Sequence, residues 1–218
     1  MIEFELNFNE FVKTLKVLND TRDKLSVILR NACFKFFADK NNILEIVATD
    51  GSRITLKRIK ISTKTRTWSE VEEKFIYDVE CLYNYLKSFK KPKEDIVKCS
   101  INDSGDLTIT DSQQLNFTVK KSGLDFPEYE QLIASYCPTD DFKDYRHSNG
   151  DSFKISFQKK FLEDVLKNMD KKSCITFEIE SNLGPVYLYD CKDTSYLTLL
   201  MPYRLSGASY QSWCNLSE

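Results

Sequence analysis

One pattern of apolar residues is written along this chain three times, and it constrains the fold more than any other feature of the sequence. Phe4-Glu5-Leu6-Asn7-Phe8 runs into a helical stripe of Phe8, Phe11, Leu15 and Leu18. Phe75-Ile76-Tyr77-Asp78-Val79 runs into Val79, Leu82, Leu86 and Phe89, the same spacing displaced by 71 residues. A third copy opens with Phe153-Lys154-Ile155-Ser156-Phe157 and continues through Phe161, Leu162, Val165, Leu166 and Met169, slipped by one residue. Alternation with period two predicts a strand, and recurrence every three to four residues predicts an amphipathic helix. Each helix also has a candidate N-cap, Asn7, Asp78 and Ser156, whose side-chain oxygen can accept from the first free backbone N–H groups. Repetition at a fixed period marks one supersecondary unit used several times.

After each predicted helix come strand-like runs. These are Ala32 to Ala38, Ile43 to Thr49 and Ser52 to Ile61; then Ile96 to Ile101, Asp106 to Thr110 and Leu115 to Lys120; then Cys174 to Ile179, Val186 to Tyr189 and Tyr196 to Met201. Turn-forming residues separate them, such as Asn41-Asn42, Ser104-Gly105 and Asn182-Leu183-Gly184. Each unit therefore reads β-α-β-β-β, and the class is α+β. One helix covers one face of each small sheet and leaves its own polar side exposed. Between units two and three, Tyr129, Leu132 and Ile133 are too apolar for a free linker and are expected to pack on a unit, whereas Pro138 to Gly150 is polar and turn-rich.

Chemistry-bearing motifs are sparse. The seven cysteines include no C-x-x-C pair and match neither a disulfide framework nor a zinc site. His147 is the only histidine and sits in a polar stretch, which leaves little room for His-dependent catalysis. No G-x-S-x-G, phosphate-binding loop or H-E-x-x-H occurs, so the chain is expected to be no enzyme and to need no metal or cofactor. With 41% hydrophobic and 13% aromatic residues it can build a proper core, yet it has no apolar run long enough to cross a membrane. Met1-Ile2-Glu3-Phe4-Glu5 lacks a secretory signal, and the expected location is cytoplasmic.

Two features point beyond the fold. Ala48-Thr49-Asp50-Gly51-Ser52-Arg53 joins two strand-like runs through Asp-Gly, a strong hairpin signal, although alone it reads better as an ordinary turn. Net charge is only −2. The helices nevertheless carry Lys13 and Lys16, then Lys87, Lys90 and Lys91, then Lys159, Lys160, Lys167, Lys171 and Lys172. Any one helix carries lysine for solubility; three equivalent helices suggest one basic surface facing an anionic polymer. No aromatic residues alternate with these lysines, so sequence-blind contact with duplex phosphates fits better than stacking on bases.

Ala48-Thr49-Asp50-Gly51-Ser52-Arg53, Asp125-Phe126-Pro127-Glu128-Tyr129 and Leu199-Leu200-Met201-Pro202-Tyr203-Arg204-Leu205 together resemble the three signature segments of the beta sliding clamp, the processivity subunit of bacterial DNA polymerase III, in that family's order. The resemblance implies a DNA clamp fold in shortened form. Residues 1–124 would be one full clamp domain of two units, 125–150 an interdomain connector, 151–205 a half-domain of one unit, and 206–218 a tail. Ser52 stands where the family commonly has histidine. The resemblance further implies a pocket for peptides of DNA polymerase and clamp loader, formed by Thr49, Gly51, Ser52, Arg53 and Ile54, by Pro127, Gln131 and Leu132, and by Leu200, Met201, Pro202, Tyr203, Arg204 and Leu205. Read without the family, Leu199 to Leu205 is also compatible with a plain core strand. The implied function is a ring around double-stranded DNA, the alternative being a decoy or adaptor that takes clamp-binding peptides without loading on DNA. Family rings contain twelve units, so three per chain imply a homo-tetramer in which the first unit's free sheet edge and the half-domain each meet their own copies. A dimer is the runner-up.

Overall fold

A computed structural model describes residues 1–37, 42–63, 73–89, 92, 95–111, 114–131, 155–179 and 184–202. Unit one contains β1 (Ile2–Asn7), α1 (Phe8–Thr21), β2 (Asn31–Phe37), β3 (Ile43–Thr49) and β4 (Arg53–Thr63). Unit two repeats the order with β5 (Glu73–Asp78), α2 (Val79–Ser88), β6 (Ile96–Ile101), β7 (Leu107–Thr110) and β8 (Asn116–Val119). Unit three contributes α3 (Lys159–Lys167), β9 (Ile175–Ile179), β10 (Val186–Asp190) and β11 (Asp193–Leu200).

The first two helices start where their caps place them. Asn7 accepts from the Glu10 N–H at 3.0 Å, and Asp78 accepts from the Cys81 N–H at 3.0 Å. The third departs from expectation. Its cap is Gln158 rather than Ser156, it makes no side-chain capping bond, and Ile155–Phe157 belong to no strand. The reason lies in how opening strands are used elsewhere. β1 of unit one pairs with β6 of unit two, and β5 of unit two pairs with β2 of unit one. Each opening strand thus needs a second unit to receive it, and among the described residues unit three has no such partner.

This crosswise exchange closes units one and two around one core. Phe4, Leu6, Phe11, Leu15 and Leu18 meet Phe75, Tyr77, Leu82, Leu86 and Val97, with α1 beside α2. Edge-to-face ring pairs, Phe4–Phe36 at 5.2 Å and Phe34–Tyr77 at 5.1 Å, interlock the sheets. Each fully buried Leu or Phe contributes about 1.5–3 kcal/mol of transfer free energy.

Unit three joins through a sheet edge, and it joins unit one. β11 runs antiparallel along the first half of β4, with Leu200 opposite Arg53 and Tyr196 opposite Lys57, while β1 takes the far end of β4 at Ile61–Thr63. The expectation that unit one keeps a free sheet edge is therefore corrected at β4, which has neighbours on both sides. Among the described residues the strands with one paired neighbour are β5, β8 and β9. The three described helices lie on one face of the continuous sheet, since α1 packs beside α2 and Val17 of α1 packs with Val165 of α3 and Met169 just beyond it.

Candidate functional site

The corner between β3 and β4 is built from its own side chains. Gly51 takes φ +85°, a conformation that costs an L side chain dearly. The Asp50 carboxylate accepts from the N–H groups of Ser52 (2.9 Å) and Arg53 (3.0 Å), and the Thr49 hydroxyl donates to the Arg53 carbonyl at 2.7 Å while accepting from the Gly51 N–H at 3.0 Å. Thr49 is thus buried and committed to the turn.

The Arg53 side chain turns inward to the joint instead of outward to solvent. Its Nε donates to Asp50 at 2.9 Å, one terminal nitrogen donates to the Asp20 carbonyl at 2.7 Å, and the other reaches Asp164 of α3 at 3.4 Å. Its guanidinium also stands 5.2 Å from the Phe161 ring centroid. Burial pushes the Asp164 carboxyl up, but the Lys167 hydrogen bond and the charges of Lys167 and Arg53 outweigh it and hold the group below the usual carboxylate range. These residues border an open cleft of about 520 Å³ between the corner, the end of α1 and the start of α3.

A second set of polar groups crosses the joint. The Thr21 hydroxyl contacts that of Thr55 at 3.0 Å, Thr55 pairs with Thr198 across the β4–β11 seam at 3.2 Å, and Thr198 donates to the Tyr196 oxygen at 3.1 Å. Lys57 donates to Asp193 at 2.5 Å and to Ser195 at 2.6 Å.

On the opposite face, three distant segments converge on Ile54. Its side chain packs against the cluster formed by Cys33, Val47, Leu56 and the connector's Tyr129, with Phe126, and also against Tyr187, Leu197 and Leu199 of unit three. Directly beside it the Met201 N–H donates to the Ser52 carbonyl at 2.9 Å, which ties the end of β11 to the corner. Tyr129 anchors the connector as expected of that stretch. It is buried, its hydroxyl bonds Glu45 at 3.2 Å, and the neighbouring Glu130 pairs with Lys74 and Lys35. Burial raises the Tyr129 phenol well above its ordinary value and lifts the Cys33 thiol to about 11.

Of the pocket residues expected from sequence, Ser52, Ile54 and Met201 come together here, with Met201 exposed, whereas Leu200 is fully buried on the other face of the sheet, among Val17 and Val165. Gly51, Pro127 and Gln131 are exposed and Pro202 half-exposed. Leu132, Tyr203, Arg204 and Leu205 lie outside the described residues. Sequence reasoning missed Leu29, whose Cδ1 lies 3.8 Å from where a Cβ of Gly51 would stand. It also missed the Arg53–Asp164 contact, whose partners are more than a hundred residues apart.

Of the lysines, Lys13 and Lys16 on α1, Lys87 on α2, Lys159 and Lys160 on α3, and Lys171 and Lys172 after it are exposed. Lys159 is paired with Glu163 at 3.3 Å, and Lys167 with Asp164 at 2.8 Å and Asp20 at 3.5 Å, so Lys167 is occupied at the joint. Lys90 and Lys91 lie outside the described residues. No described helix is long and apolar enough to cross a membrane.

No protein-family model matches this sequence, and no curated protein matches it either. Solved structures do match. The DNA polymerase III beta subunit of Thermotoga maritima superposes with a TM-score of 0.73 at 17% identity, over 94% of this chain and 66% of that one. The Pseudomonas aeruginosa beta subunit gives 0.70 at 15% identity, over 94% and 67%, and the Bacillus subtilis sliding clamp gives 0.68 at 9% identity, over 96% and 67%. The chain has the fold of these clamps and spans about two thirds of their length.

Proposed function

We propose that this protein is a DNA sliding clamp, a polymerase processivity factor that encircles duplex DNA without chemistry and holds partner peptides at the joint between units one and three. The reading rests above all on the convergence at Ile54. The corner, the connector and the end of β11, the three segments that resemble clamp signatures, meet on one side of the sheet, while the helices with their lysines occupy the other. A ring with helices inward would place Lys13, Lys16, Lys87, Lys160, Lys171 and Lys172 toward the phosphates, giving retention that weakens with salt. Apolar Ile54 and Met201 would receive a Leu or Phe anchor of the peptide, and Gly51 would let its backbone approach. With the Arg53 donors engaged at the joint, polar recognition passes to Ser52 and to the stretch 203–205.

In this reading residues 1–124 form a clamp domain, 125–150 its connector and 151–205 a half-domain, and four chains supply the twelve units of a closed ring. The order along the sheet is unit two, unit one, unit three. The copies would meet through unit three at one end and through the β8 edge at the other, which makes the ring a dihedral tetramer. Calorimetry with a Gln/Leu/Phe-type clamp-binding peptide tests the pocket. Met201→Ala should weaken binding by about 1–3 kcal/mol, as expected when a pocket loses an anchor contact. Absence of binding to the unmodified chain would remove the pocket.

A further inference from the structure

The receiving strands of the first two units have a neighbour on each side. β6 lies between β7 and β1, and β2 between β3 and β5. In both cases one neighbour is the opening strand of the other unit. β9 is their counterpart in unit three, and among the described residues it pairs only with β10. The opening stretch of unit three is left over too, because Ile155, Ser156 and Phe157 are in no strand.

The side chains repeat the same contrast. The helix-side residues of β6, Val97, Cys99 and Ile101, are at most 4% exposed. Those of β9 are Ile175, Phe177 and Ile179, which lie opposite Asp190, Leu188 and Val186. Phe177 is 43% exposed, Ile175 and Ile179 are half-buried, and Leu166 of α3 is 37% exposed. What covers the matching surface in unit two is a unit of the same β-α-β-β-β kind, entering by its opening strand and helix.

We infer that the partner of this surface is unit three of a second copy, and that the two copies exchange the stretch ending at Phe157, each adding it to the open edge of the other's β9. The register follows from the two exchanges within one chain. The residue before the N-cap faces the first inward residue of the receiving strand, Leu6 opposite Val97 and Tyr77 opposite Ala32. With Gln158 as cap, Phe157 lies opposite Ile175 of the second copy, Ser156 opposite its Thr176, and Ile155 opposite its Phe177. Apolar residues then meet on the helix side, where Ile155 and Phe157 already pack against their own unit's cluster. The edge gains the main-chain bonds that an open strand otherwise leaves as a template for unwanted pairing. The contact is isologous, and only one of them fits per chain. It specifies the assembly part of the clamp reading and is independent of the DNA part.

Directly opposite residues of an antiparallel pair are close enough for a disulfide. Chains carrying Ser156→Cys and chains carrying Thr176→Cys, both with Cys174→Ser and Cys191→Ser, are co-expressed and mildly oxidised. A covalent heterodimer, absent when either chain is expressed alone, is expected. Failure to cross-link overturns the exchange, whether the edge is taken by the chain's own residues 203–218 or by nothing. Phe177→Glu in the otherwise unmodified chain should halve the sedimenting mass at micromolar concentration with units one and two still folded; an unchanged mass also overturns it. A cross-linked pair that does not hold closed circular DNA leaves this contact standing and overturns the clamp reading. DNA retention without the cross-link overturns this contact alone.

Discussion

Unit one touches its two neighbours in opposite ways. Toward unit two it presents an apolar seam of Phe4, Phe11, Leu15 and Leu18 against Tyr77, Leu82 and Leu86, with strands exchanged in both directions. Toward unit three it presents one strand edge, crossed by Thr55–Thr198, Lys57–Asp193 and Arg53–Asp164. The apolar seam supplies most of the stability but is non-directional. The polar joint supplies less energy and more geometry. A slip of one residue between β4 and β11 would turn every side chain to the other face and strand buried hydroxyls and an arginine, so the polar contacts fix the register. The joint needs that precision, since it places the end of β11 beside the corner at Ser52.

The contrast can be broken from either side. Leu82→Ala, at a fully buried position in the seam, should cost about 2–5 kcal/mol of global stability in chemical denaturation. A loss well under 1 kcal/mol would mean that the seam is not the main store of stability. Arg53→Ala leaves the Asp50 and Asp164 carboxylates without their shared partner and should cost about 1–3 kcal/mol, confined to the joint. Hydrogen exchange should quicken in β11 and leave α2 unchanged. Equal quickening in both would show that the two contacts do not open separately.

A smaller effect comes from acid. Burial raises the Asp193 carboxyl, but the hydrogen bonds from Lys57 and Ser195 more than offset it, and Asp164 is likewise held low by Lys167 and Arg53. A carboxyl with a lower value in the folded state stabilises it at pH above its unfolded value, about 3.9, and that contribution is lost as pH falls through the folded value. The joint should therefore loosen only below about pH 4, while the apolar seam persists. Hydrogen exchange of β11 relative to α2 between about pH 5 and pH 2 reads this out, and a constant ratio would contradict it.

Local patterns made most of the elements legible. Period-two runs and helical stripes located β3 and β6 to the residue, and Asn7 and Asp78 cap α1 and α2. Where sequence reading failed, the missing information was a partner. Phe153–Phe157 has the composition of a strand, but a strand needs a neighbour, and Ile155–Phe157 have none among the described residues. Likewise nothing local in Ser52 to Ile61 says which strand will lie beside β4. At the candidate site the corner's turn chemistry and Tyr129 as an anchor were readable. The inward aim of Arg53 was not, because it depends on Asp164 and Phe161 from a helix that only the β4–β11 pairing brings near. Thr198, inside a leucine run, was the one available hint that the joint is polar.

Encirclement of DNA is a topological property, and trapping on a closed circle reads it out. The protein, with a clamp loader or by slow ring opening, is assembled on nicked circular duplex and passed through a gel-filtration column before and after the circle is linearised. A sliding clamp co-elutes with the circle, resists moderate salt, and is lost when the DNA is cut. Equal retention on circular and linear DNA, or none on either, would mean that the protein does not encircle the duplex.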